Sequence, residues 1–202
     1  MPMKATPAGA SENGLSRRSF LKASALVGGG LLLELHVPKA HAAASDTGAQ
    51  RPPPTLDEAK VQELTATIQK EPQNAVAQAE LANAYFDAER WDDAIQWYER
   101  SLKIDPGNPN VSTDLGVSYY YTNRTDEALT QFERSLKIDP NHTKTLLNKG
   151  IVLAFGKQDL AAAAEEWKKV VTLAPDSPEG EAARRALEGV AAAHAREGSA
   201  AP

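Results

Sequence analysis

Few residues in this chain could carry chemistry. Its 202 residues include four histidines and no cysteine. Without cysteine there is no disulfide, no thiol nucleophile, no covalent haem attachment and no thiolate metal ligand. His36 and His41 lie in an N-terminal segment with its own character, leaving His142 and His194. His142 sits in Pro140-Asn141-His142-Thr143 and reads as a loop or capping residue. His194 is near the end of the last helical pattern, where a partly positive ring suits the helix dipole. Neither has a second histidine, a nucleophile or a carboxylate at metal-ligand or triad spacing. Asp92-Asp93 and Glu165-Glu166 begin or flank helices and read as solvated faces. Gly28-Gly29-Gly30 lies in an apolar N-terminal stretch, so no phosphate-cradling loop is present. The sequence predicts no active site, no cofactor and no metal.

Charge narrows the classes further. Residues 1–42 hold five basic residues (Lys4, Arg17, Arg18, Lys22, Lys39) and two acidic ones (Glu12, Glu34), so of 22 basic and 27 acidic residues in the chain, 17 and 25 lie beyond them, net −8. That sign argues against sequence-independent nucleic-acid binding, which needs clustered Lys and Arg, and gives no attraction to anionic lipid.

Ser16-Arg17-Arg18-Ser19-Phe20-Leu21-Lys22 matches, at every position, the pattern S/T-R-R-x-F-L-K. An apolar stretch from Ala23 to Leu33 follows, short of the ~20 residues that span a bilayer. Ala40-His41-Ala42 then offers a small-x-small cleavage site. This order resembles a twin-arginine signal peptide over 1–42. Arg17, Arg18, Phe20 and Leu21 would be its recognition residues, with cleavage after Ala42 between Ala40-x-Ala42 and the mature chain. The resemblance implies export to the periplasm; an uncleaved signal anchoring the chain to the inner membrane is the alternative. Residues 43–54 lack apolar periodicity and read as a flexible or polyproline linker.

Beyond it the elements that position everything else are repeats. Leu81-Ala82-x-x-Tyr85, Ala94-x-x-x-Tyr98-x-x-Ser101-Leu102 and Pro106 recur 34 residues later as Leu115-Gly116-x-x-Tyr119, Ala128-x-x-x-Phe132-x-x-Ser135-Leu136 and Pro140. A third copy, Gly150-x-x-Leu153, Ala163-x-x-x-Trp167-x-x-Val170-Val171 and Pro175, carries one extra residue between its helices. Spacings of three, four and seven place these residues on one face of each helix. Small residues stand where two helices cross closely, and large ones fill between successive pairs. Prolines end the second helix of each pair. Asn74, Asn108 and Ser177 are placed to cap the next, with Pro109 and Pro178 in the first helical position. Lys149 departs from the pattern where the other copies have Leu.

This pattern resembles the tetratricopeptide repeat (TPR) family over roughly residues 56–195. The resemblance implies an all-α fold: a right-handed superhelical solenoid of helical hairpins, three repeats with N- and C-terminal capping helices. The expected domain spans 55–196, with a cap helix at 56–71, repeats at 75–108, 109–142 and 143–177, and a cap helix at 178–196. Val61, Leu64 and Ile68 would face inward from the first cap, and Ala182, Ala183, Leu187 and Val190 from the second. Residues 197–202 carry no core-forming residue and are expected to be disordered.

By the same resemblance the first helix of each pair lines a concave groove that binds protein. Its sites would be Val76, Ala79, Glu80, Asn83, Phe86 and Asp87; Asn110, Thr113, Asp114, Val117, Tyr120 and Tyr121; and Lys144, Leu147, Asn148, Ile151, Ala154 and Phe155. Phe86, Tyr120, Tyr121 and Phe155 would form an aromatic strip of the kind that dominates interfaces. Asn83 and Asn148 could bond the backbone of an extended peptide. One subclass of the family clamps a C-terminal carboxylate with Lys and Asn at five groove positions. Only Asn83 and Lys144 fit, while Ala79, Asp114 and Asn148 do not, so that mode is rejected. The implied function is an exported scaffold or assembly factor for a protein or peptide partner, in the manner of TPR factors of cytochrome c maturation. The alternatives are a self-assembling structural protein and an accessory subunit co-exported with a cofactor-bearing enzyme. Neither nucleic acid nor, after signal cleavage, membrane is an expected partner.

Overall fold

The computed structural model describes residues 54–199, with side chains to residue 192. Arg17, Arg18, Phe20, Leu21, Ala40 and Ala42 lie outside the described residues, as does the side chain of His194. The described chain is eight helices: α1 (Glu58–Lys70), α2 (Ala75–Asp87), α3 (Trp91–Ile104), α4 (Pro109–Tyr121), α5 (Thr125–Ile138), α6 (Thr143–Gly156), α7 (Leu160–Leu173) and α8 (Pro178–Ser199). They pair as antiparallel hairpins α2/α3, α4/α5 and α6/α7, each stacked on the next, with α1 against α2 and α8 against α7. No helix among the described residues is long and apolar enough to cross a membrane.

The local rules that start and stop these helices are visible residue by residue. Asn74 accepts from Ala77 N at 2.9 Å, Asn108 from Val111 N at 3.2 Å, and Ser177 from Gly180 N at 3.0 Å. Each oxygen satisfies a donor that the first helical turn leaves orphaned. His142 occupies the equivalent place before α6 but makes no capping bond. Helices α3, α5 and α7 stop two residues before Pro106, Pro140 and Pro175. The intervening Asp105, Asp139 and Ala174 take ψ values of 86°, 100° and 65°, because a proline ring crowds the helical conformation of the residue before it. Helix α8 runs to Ser199, three residues beyond the expected boundary at 196.

Within each hairpin the small and large residues interlock. Ala94, Ala128 and Ala163 are wholly buried. A Cβ added at Gly116 would stand 2.5 Å from Phe132 Cε1, and one at Gly150 would strike the indole of Trp167. Trp167 donates its Nε1–H to Leu147 O at 3.2 Å, so the ring is fixed both by packing and by a hydrogen bond. At the ends, Val61, Leu64 and Ile68 of α1 cover Ala77 and Leu81. Ala182, Ala183, Leu187 and Val190 of α8 cover Trp167 and Val170. An array whose terminal faces were left open would expose these surfaces.

The extra residue of the third hairpin does not lengthen its loop. It extends α6 to 14 residues, against 13 in α2 and α4. Lys157 N reaches back to Val152 O at 3.2 Å, a wider turn that absorbs the insertion at the helix end. Gly156 lies there against the preceding hairpin, where a Cβ would stand 2.8 Å from Thr125 Cγ2.

Candidate functional site

The candidate site is the face that α2, α4 and α6 share, built from 18 side chains at matching positions. The structure divides them into a sealed floor and an exposed rim. Thr113, Val117, Leu147, Ile151, Ala154 and Tyr120 are buried, Tyr120 at only 5% exposure. Helices α4 and α6 meet one another there, so these side chains pack instead of presenting a surface. Asn83 is also committed: its Oδ1 accepts from the hydroxyl of buried Tyr98 at 2.7 Å. That bond makes the Asn83 Oδ1 an internal strut between α2 and α3.

The rim consists of exposed Val76, Glu80, Asp87, Asn110 and Phe155, with Val76 at 68% and Phe155 at 36% exposure. Ala79, Phe86, Tyr121 and Lys144 are partly buried beside them. The expected aromatic strip is interrupted. Tyr121 stacks on Trp91 with ring centroids 4.1 Å apart and planes 10° from parallel. Phe86 meets Trp91 edge-on at 4.9 Å and Tyr121 at 6.3 Å. Trp91, the first residue of α3, was absent from the sequence-based site. An aromatic five residues after Phe86 was the available signal, but only the fold brings it under Tyr121. Burial first and the charge of Glu89 second push the Tyr121 phenol well above its ordinary value. The phenol therefore stays protonated throughout the physiological range.

Polar groups at the seam of α4 and α6 form a second unit. Lys144 Nζ meets Asp114 Oδ1 at 2.5 Å; the carboxylate side chain is 6% exposed and the lysine 27%. This pair ties the one basic residue of the face to a buried carboxylate. A lysine so neutralised is poorly placed to grip a ligand carboxylate. Asn148, one turn along α6, donates from Nδ2 to Lys144 O at 2.9 Å, while its buried Oδ1 has no hydrogen-bond partner. Beneath them lies a hydroxyl cluster: Thr145 Oγ1 is 2.5 Å from Thr113 Oγ1 and 2.8 Å from Ser135 Oγ. His142 Nδ1 is 2.6 Å from the same Thr145 oxygen. Burial, the largest influence, lowers the imidazole from its ordinary value. His142 thus stands at the N-cap position of α6 while its side chain joins an inter-repeat hydrogen-bond cluster instead of capping the helix.

Two family models described as tetratricopeptide repeat match the chain, over residues 73–141 and 113–178. No curated protein matches it. Among solved structures, the first TPR of Spaghetti (RPAP3) bound to the HSP90 peptide SRMEEVD is 26% identical with a TM-score of 0.55, covering 61% of this chain and 94% of that one. The first TPR domain of human RPAP3 is 25% identical with a TM-score of 0.56, covering 64% and 99%. MamA, 13% identical with a TM-score of 0.55, covers 69% of this chain and 89% of its own, and shares the fold. Period, interlocked small and large residues, hairpin stacking and family match agree: this is a tetratricopeptide repeat protein, and residues 73–178 are its repeats.

Proposed function

We propose that this chain is an exported scaffold that holds an extended segment of a partner protein along the α2–α4–α6 face. The observation that carries the reading is the division of that face. An exposed rim of Val76, Glu80, Asp87, Asn110 and Phe155 stands on a floor whose members are buried, with Asn83 and Thr113 hydrogen-bonded into the fold behind it. A rigid base with an adaptable rim limits the entropy lost on binding. The RPAP3 domain, similar at 26% identity, is bound to a peptide, which supports binding over catalysis. Export rests on Arg17-Arg18 and the small residues at 40 and 42.

Two experiments test this. Affinity capture from periplasmic extract should recover a partner with the natural chain and lose it with Phe155→Ala/Asn110→Ala, but not with Glu133→Ala on α5. Equal capture by all three would place binding elsewhere, and light scattering of the purified chain would then decide for self-assembly. Changing Arg17 and Arg18 together to Lys should hold the chain in the cytoplasm, since Lys lacks the planar guanidinium. Unchanged fractionation would remove the export reading and leave the scaffold.

A further inference from the structure

We infer that the segment bound by this face is cationic: an extended stretch of a partner protein carrying Lys or Arg, recognised along its length and not by a terminal carboxylate. The inference rests on the partner-binding reading of the face and adds the chemistry of the occupant.

Glu80, Asp114 and Asn148 stand 34 residues apart in sequence, at the same position of α2, α4 and α6. Each ends in an acceptor oxygen, so one acceptor per repeat lines the middle of the face. Among the 18 face residues, Glu80, Asp87 and Asp114 are acidic and Lys144 alone is basic. Glu80 and Asp87 are exposed, whereas Lys144 is held by Asp114. The face residues thus carry three negative charges against one positive, a balance that repels an approaching anion and attracts an approaching cation.

The second, independent sign is Asn148. Its Oδ1 is buried without a partner, although nearly all buried polar atoms in folded proteins are satisfied. Asn148 lies on the same helix face as Lys144, one turn away, so the orphan acceptor borders the Asp114–Lys144 pair. What it lacks is a donor, and an ammonium, a guanidinium or a backbone N–H supplies one. The third sign is aromatic. Partly buried Phe86, Trp91 and Tyr121 form one ring cluster where α2 meets α4, and Phe155 at the end of α6 is exposed. Cations are drawn to ring faces, and anions are not.

The test presents the full chain with a library of randomised dodecapeptides whose C-termini are amidated, beside the same library with free C-termini. Peptides retained from both should be enriched in Lys and Arg, and a selected peptide should bind less tightly as salt rises. For that peptide, Glu80→Lys should weaken binding by roughly tenfold. Asn148→Leu should weaken it by about fivefold while leaving the melting temperature unchanged or higher, because it removes an acceptor that was never satisfied. Enrichment of Asp and Glu, a requirement for the free C-terminus, or an absence of charge preference would overturn the cationic occupant and leave the partner-binding face standing. Cationic peptides that bind Glu80→Lys as tightly as the natural chain would overturn it too, by placing them elsewhere. If nothing is retained from either library, the partner-binding reading falls with the inference.

Discussion

The first two hairpins and the third solve the same packing problem with different side chains. In the first two, an arginine just before the second helix joins its neighbours. Arg90 lies 4.9 Å over the Tyr85 ring and pairs with Asp93 at 2.7 Å; Arg124 lies 4.3 Å over Tyr119 and pairs with Glu127 at 2.5 Å. A serine then ties the second helix to the start of the first: Ser101 to Ala75 O at 2.8 Å and Ser135 to Pro109 O at 2.9 Å. The third hairpin has none of these. Leu153 replaces the tyrosine and Val170 the serine, and Asp159 caps α7 by accepting from Ala162 N at 2.9 Å. Lys149 stands where Leu81 and Leu115 stand, and it pairs at 3.1 Å with Glu166, which takes the place of Trp97 and Gln131. The small-against-large contacts persist in all three. Those contacts define the hairpin, whereas caps, struts and ion pairs are interchangeable means of closing it.

That comparison breaks most readily at Trp167. Trp167→Ala should cost about 3–5 kcal/mol, the usual price of an emptied aromatic site. Gly150→Ala, which drives a methyl into the indole, should cost about 1–3 kcal/mol. Denaturant melts measure both, and a Gly150→Ala chain as stable as the natural one would show that the third hairpin does not depend on the shared contact.

Restoring the apolar pattern should have the next largest effect, with opposite sign. Lys149→Leu combined with Glu166→Leu removes a largely buried ion pair, and such replacements are often neutral to stabilising by about 1–4 kcal/mol. Lys149→Leu alone should lose stability, though less than for a pair with no other support, since Lys169 also meets Glu166 at 2.9 Å. A double variant clearly less stable than either single one would mean that the pair specifies the third hairpin.

The seam between the second and third hairpins should respond to pH. His142 is held below its ordinary value by burial, with Asp139, Asp114 and Glu179 opposing and Lys144 assisting. A depressed histidine lets the unfolded chain bind the proton first, so stability is full above pH 6.5 and falls as pH drops below it. His142→Asn, which copies Asn74 and Asn108, should abolish that slope. Thermal melts across pH 5 to 8 read it, and an unchanged slope would exclude His142 as its source.

The smallest effects belong to the turns inside the hairpins. Glu89, Asn123 and Gln158 have φ of 57°, 62° and 57°, the left-handed region. Glu89→Gly should stabilise by a few tenths to about 1 kcal/mol, and Asn123→Gly by less, because asparagine tolerates this conformation. Similar gains at both would indicate that the first two turns are equally strained.

What could be read from the residues was local or periodic. The 34-residue spacing, the small residues at 82, 116 and 150, the caps at Asn74, Asn108 and Ser177 and the inward faces of α1 and α8 all follow from one helix or one hairpin. The site was legible only as a face. The resemblance to the family implied 18 residues for it, but neither that resemblance nor helical periodicity says how closely neighbouring helices approach. Tyr120 and Tyr121 are adjacent in sequence, yet one is buried and the other lies against Trp91 from another hairpin. The closeness of α4 to α6 turned Thr113 and Thr145 into a cluster with His142 and Ser135, and spent Lys144 on Asp114. By itself, then, the sequence determined the repeat, its hairpins and their ends, because those depend on hydrogen bonds and side-chain spacing within about one turn or one period. Only the tertiary structure decided which face residues remain available to a partner. Burial and pairing across hairpins depend on distances between helices that no single repeat contains.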